Sequence, residues 1–196
     1  MAVEIVNKIT NQYSNFLSTR VSSRKPFGLP TNYPPKETGI PCWFIQKIGR
    51  KFANRIDVDD LKGYLDKWKF IAPKAPIAGQ TDFTKPVGFY YEGNTKILEP
   101  GECCTESYII LGAFETKEEV LNYRSYIFTK LVRFLLLQTV VSQDVTKKNY
   151  CFVPDPGKYD KCFSDEILCK LWDISQEEWA YIDSRIYNIG EKSQGE

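Results

Sequence analysis

Residues 103–137 read CCTESYIILGAFETKEEVLNYRSYIFTKLVRFLLL, and the stretch changes character at Thr116. Its first part is rich in aliphatic, aromatic and β-branched residues, which suit a pleated, half-buried surface. Together with the preceding KILEPGE it predicts two strands around a turn at Pro100-Gly101. Thr116 with Glu119 three residues later is a capping box, in which each satisfies a free backbone donor of the other. Val120, Tyr123, Ile127, Leu131, Phe134 and Leu135 then recur at helical spacing, so a helix is expected to about Leu137. Strands feeding a capped helix, without strict strand–helix alternation elsewhere, define an α+β class. The expected architecture is a mixed, mostly antiparallel sheet with packed helices and a C-terminal helical segment.

The same reading extends outward. NYCFVPD (149–155) is expected to be a short strand. Ser164 opens a helix with Ile167, Leu168 and Leu171 on its apolar face. Ser175 with Glu178 is a second capping box, followed by Trp179, Ile182 and Ile186. Toward the N-terminus, Val6, Ile9, Tyr13 and Phe16 form one helical stripe over 3–19. Residues 20–39 carry four prolines and read as an extended loop. CWFIQKIGRKFANRI (42–56) reads as two strands turning near Gly49. Asp57 is placed to cap a short helix bearing Val58, Leu61 and Leu65. WKFIAPKA is a strand ending at Pro73, and 76–95 is loop. The domain reading is a leading helix or linker over 1–20, one domain over 21–190, and a disordered polar tail over 191–196.

The chain has 196 residues, 42% of them hydrophobic and 26% charged, the balance of an ordinary globular domain. No apolar run approaches the ~20 residues that span a bilayer, and MAVEIVNKIT has no secretory pattern. A cytoplasmic protein with no membrane partner and reduced thiols is therefore expected. The six cysteines form no Cys-x-x-Cys pair and there is no histidine, which excludes a Cys/His zinc site and all histidine-based catalysis. No site for a metal is expected. The net charge of +1 hides an asymmetry: residues 1–75 hold 13 Lys/Arg against 6 Asp/Glu, and the remainder holds 13 against 19. A basic part of this kind suits a polyanion.

Four motifs bear on chemistry. TNYPP (31–35) has the residue types of an amino-group methyltransferase loop in the wrong order. Tyr33 separates Asn32 from Pro34, and no glycine-rich cofactor loop accompanies it. Glu115-Thr116-Lys117 and Asp60-Leu61-Lys62 match the acid-x-Lys triplet of metal-dependent nucleases, yet both fall at expected helix starts. Arg20, Arg24, Lys25, Lys47, Arg50, Lys51 and Arg55 lie among the aromatics Phe27, Tyr33, Trp43, Phe44 and Phe52, with cations crowding the turn at Gly49. They suit phosphate neutralisation as well as an outward face of a sheet. SQDVTKK offers Gln143 for an adenine edge and Lys147 and Lys148 for phosphate.

SSRKPFGLPTN, FIAPKAPIAG, the 103–137 stretch, YCFVPD and FSDEILCKLWDISQEEWAYIDSRI together resemble a known family. They are similar, in order over about 20–189, to the C-terminal region of bacterial adenine-specific DNA methyltransferases of restriction–modification systems. The resemblance implies a TaqI-like target-recognition (specificity) domain that binds double-stranded DNA. It further implies that Ser22–Gly28, Lys74–Gly79 and Thr105-Glu106 are recurrent loop motifs. The catalytic domain and its S-adenosylmethionine would belong to a parent protein or partner chain, with or without endonuclease activity. No catalytic, metal-binding or cofactor-binding residue is expected in this chain. The DNA-binding set is Arg24, Lys25, Lys47, Arg50, Lys51, Arg55, Lys74, Gln143, Lys147 and Lys148. The alternatives are a divergent metal-dependent nuclease and a module docking a methyltransferase partner.

Overall fold

The structure, a computed structural model, describes residues 1–190; the tail expected over 191–196 lies outside the described residues. Among the described residues there are six strands, β1 (Ile40–Trp43), β2 (Arg50–Ala53), β3 (Trp68–Pro73), β4 (Lys96–Leu98), β5 (Cys103–Cys104) and β6 (Tyr108–Phe114). The described residues also form the α-helices α1 (Ala2–Thr10), α2 (Lys117–Phe128), α3 (Lys130–Leu137), α4 (Asp165–Leu171) and α5 (Gln176–Asp183). The fold is α+β. An antiparallel sheet of order β4-β3-β6 lies beside a mixed sheet of order β2-β1-β5, in which β1 and β5 run parallel.

The period of two along β3 divides the interior. Phe70 and Ala72 enter the larger core with Ile5, Val120, Tyr123, Leu131, Leu135 and Trp172. Ile71 enters a second core with Phe27, Phe44, Cys42, Cys103 and Leu98. The central sheet thus has helices on one face and the small sheet on the other. The α1 residues Ile5, Val6 and Ile9 are part of the larger core.

A bulge in β6 opposite Phe70 and Ile71 shifts the register by one residue. It turns Gly112 toward the helices, where a Cβ would lie 2.8 Å from ring atoms of both Phe114 and Tyr123. Tyr123 is itself pinned, its hydroxyl donating to the Leu111 carbonyl at 2.7 Å. Gly112→Ala is therefore an overpacking substitution, expected to cost about 1–3 kcal/mol. Urea denaturation checks this, and an unchanged midpoint would contradict the close approach.

The capping boxes at Thr116/Glu119 and Ser175/Glu178 form as expected, and Ser164 caps α4. Several expected boundaries move, each for a local reason. The first helix ends at Thr10, because Asn15 and Leu17 exchange backbone hydrogen bonds with Asp155 and Val153, and Phe16 bridges Pro154. The short helix after Asp57 is absent. The Asp60 carboxylate accepts from Tyr64 N and Leu65 N, an alternative to helical bonding, and Leu61 is exposed. The strands flanking Pro100-Gly101 belong to different sheets and form no hairpin. Residues 147–152 form a 3-10 helix where a strand was expected, capped by Thr146 and Asn149. The long helix breaks at Thr129, whose ψ is 149°.

Candidate functional site

The connector from β5 to β6, Thr105-Glu106-Ser107, is a meeting point of chain segments. Thr105 N donates to Trp43 O at 3.0 Å, which ties in the β1–β2 hairpin at its tip end. Glu106 N donates to Leu29 O at 2.8 Å, which ties in the 22–29 loop. Lys74 N donates to Ser107 O at 3.4 Å, and Val145 N donates to Lys74 O at 2.7 Å. Through Lys74, the 142–148 segment joins the same end of the central sheet. Ser22 clasps β6 reciprocally: its N donates to Ile110 O, and its Oγ accepts from Ile110 N. The three loop motifs implied by the resemblance, the hairpin end and the SQDVTKK segment therefore meet around one short connector.

The expected DNA-binding residues divide accordingly. Arg24 and Lys25 are half-exposed and face Glu106, at 3.5 Å and 3.9 Å. Lys25 holds a left-handed backbone (φ 54°), unusual for a side chain without a short polar tip. Lys47 lies exposed in the hairpin turn, whose Gly49 adopts φ 77°. Lys51 is exposed on β2. Lys74 sits at the connector, and Gln143, Lys147 and Lys148 are exposed close by in sequence to the Val145 contact.

Two residues of the set are placed differently. The Arg50 guanidinium donates to Glu102 through Nε and Nη2, both at 2.8 Å, while the other Glu102 oxygen accepts from Glu99 N. Arg50 thus fastens the hairpin to the 99–102 turn. Arg55 follows the end of β2 that pairs with Ile40, away from the hairpin tip, and donates to Val58 O. It does not join the group at the connector.

TNYPP has a structural use. The Tyr33 hydroxyl donates to Asp57 at 2.7 Å and accepts from Asn54 N, and its ring stacks on Phe44. Burial and the neighbouring carboxylate push the Tyr33 phenol up from its ordinary value. The acid-x-Lys triplets are likewise engaged: Glu115 pairs with Lys67 at 2.8 Å, and Asp60 holds the 60–65 turn. Among the described residues, no group of three acidic or cysteine side chains is arranged to hold a metal ion.

Sequence reasoning missed Lys69, fully buried in β3. Its ammonium donates to the carbonyls of Leu65, Lys67 and Glu99 at 2.7–3.0 Å, using all three of its donors. The signal was present: a lone lysine between aromatics in an otherwise apolar strand. Desolvation pulls its pKa down to about 8.

Among the described residues, no helix is long and apolar enough to cross a membrane. The chain matches no family model and no curated protein. One cavity of about 240 Å³ opens between α3 and α5, lined by residues including Phe83, Phe134, Gln138, Tyr181 and Arg185. It offers no carboxylate for ribose hydroxyls and lies below the ~300–1,000 Å³ usual for ligand sites, so it does not fit S-adenosylmethionine.

Proposed function

We propose that the chain is a DNA-sequence-recognition domain, the specificity part of an adenine-specific DNA methyltransferase or restriction–modification enzyme. In this reading double-stranded DNA is its ligand, and a methyltransferase domain, in the same or a partner chain, supplies S-adenosylmethionine and the chemistry. The observation that carries the reading is the meeting of loops around Thr105–Ser107, with Arg24, Lys25, Lys74, Lys147 and Lys148 on those loops. Separate loops held on one rigid sheet end give a surface able to follow a phosphate backbone and present side chains to base edges. Lys47 and Lys51 extend the cationic surface along the hairpin, and Gln143 is a candidate for base contact.

Phosphate contacts release counterions, so affinity falls with salt at a slope of about 0.9 per neutralised phosphate. Arg24→Ala and Lys25→Ala are each expected to weaken binding to a DNA duplex and flatten that slope. A fluorescence-anisotropy salt titration measures both quantities. Affinity and slope unchanged in both variants would remove the two residues from the interface. Transfer of labelled methyl from S-adenosylmethionine to DNA by this chain alone would contradict a recognition domain without catalytic machinery.

A further inference from the structure

Arg24 and Lys25 converge on a single side chain. Arg24 Nε lies 3.5 Å from Glu106 Oε1, and Lys25 Nζ lies 3.9 Å from Glu106 Oε2. Each oxygen of one two-oxygen anion faces one cation. Both distances exceed the ~2.7–3.2 Å of a hydrogen bond, so the carboxylate is held by charge alone. The cations are the outer partners, with side chains 54% and 48% exposed against 18% for Glu106. An anion approaching from solvent therefore meets the cations before the carboxylate.

The backbone on both sides is fixed. Gly28 N donates to Lys25 O, Phe27 and Leu29 are buried, and Ser22 is bonded to Ile110. Glu106 N is bonded to Leu29 O. What can rearrange are the three side chains, none of them held by a hydrogen bond to another. A phosphate diester presents two non-bridging oxygens in a comparable spread, and it cannot share the pair of cations with a carboxylate without like-charge repulsion.

We propose that Glu106 is the resident anion of a one-phosphate clamp, its carboxylate holding between Arg24 and Lys25 the place that a DNA phosphate takes. This rests on the DNA reading above and adds two features to it. The two cations act on the same phosphate, and the free chain carries a latch that lowers its own affinity.

The test is the anisotropy titration with Glu106→Gln, which keeps the size and removes the charge, alongside the Arg24→Ala/Lys25→Ala double variant. Glu106→Gln is expected to bind a duplex about five-fold more tightly at low ionic strength, the scale of one exposed ion pair. That gain shrinks as salt rises. The double variant is expected to lose about 0.9 from the salt slope, one phosphate's share. Unchanged or weaker binding by Glu106→Gln, with its thermal midpoint preserved, overturns the latch. A double-variant slope loss of about 1.8, the share of two phosphates, overturns the single-phosphate clamp. A wild-type chain that binds no duplex at any salt removes the DNA reading itself, an outcome separate from either.

Discussion

Arg133→Met is expected to lower the unfolding free energy by about 2–5 kcal/mol, read from urea denaturation. The reason lies in the break between α2 and α3. A helix that stops leaves carbonyls without partners at its C-terminus, and one that starts leaves free N–H groups. Here both occur at Thr129 in the buried interior. The N–H groups of α3 are met by side chains: Thr129 Oγ1 accepts from Val132 N, and the Asp165 carboxylate accepts from Lys130 N and Leu131 N. On the other side of the break, the Arg133 guanidinium donates to Phe128 O through Nε and Nη2 and to Thr129 O through Nε. It also donates to Tyr187 O through Nη1 at 2.6 Å.

Methionine fills similar space but donates nothing, so it strands the Phe128 and Tyr187 carbonyls in place of removing both partners, the costly case; Thr129 O keeps the backbone N–H of residue 133. Arg133→Lys keeps the charge and loses the planar fork, and is expected to recover only part of the loss. A change below about 1 kcal/mol in Arg133→Met would mean that water or relaxation satisfies those carbonyls.

That break also marks the limit of what the sequence reveals. Capping boxes are local: Thr116 and Glu119 need only each other, so the start of α2 is readable. The restart after Thr129 draws on Asp165, 35 residues on from the Lys130 N–H that it accepts. Apolar residues run straight through it, because α2 buries Tyr123, Tyr126 and Ile127 and α3 then buries every residue from 130 to 136. The strand content of 96–114 is readable for the same local reason. Its division between two sheets is not, since it follows from the parallel pairing of β5 with β1.

The candidate site behaves alike. Cations and loop motifs are visible as residue types, whereas the connector that gathers them works through backbone atoms of Trp43, Leu29, Lys74 and Ser107. Backbone hydrogen bonds carry no residue signature. Arg50 shows the converse: its sequence neighbours give no sign of Glu102, 52 residues on, which accepts from its guanidinium.

Stability is expected to change little from pH 7 to about 9 and then fall with increasing steepness. The linkage is set by groups whose proton affinity burial has shifted. Lys69 has a folded pKa near 8, below its ordinary 10.5. Between those values the unfolded chain binds one more proton than the folded one, so this group alone makes stability rise by about 1.4 kcal/mol per pH unit. Buried thiols act oppositely. Desolvation and the neighbouring Cys103 thiol push Cys104 up, and the hydrogen bond with Cys103 together with burial pushes Cys42 up. The folded chain keeps both protons while the unfolded chain releases them from about pH 8.5 upward.

Two protons held against one lost leaves a net fall of about 1.4 kcal/mol per unit near pH 9–10. Above pH 10 the buried phenols join. Burial pushes Tyr91 up to about 12 and raises Tyr123, Tyr126, Tyr150 and Tyr159 as well. Each phenol still protonated in the fold adds about 1.4 kcal/mol per unit, enough to unfold an ordinary domain of ~5–15 kcal/mol within one or two further units. Thermal midpoints from pH 7 to 11 measure the curve. Cys104→Ala should flatten the portion between pH 9 and 10, because it removes one of the two opposing thiols. A fall that becomes no steeper above pH 10 would mean that the phenols ionise as readily inside the fold as outside it.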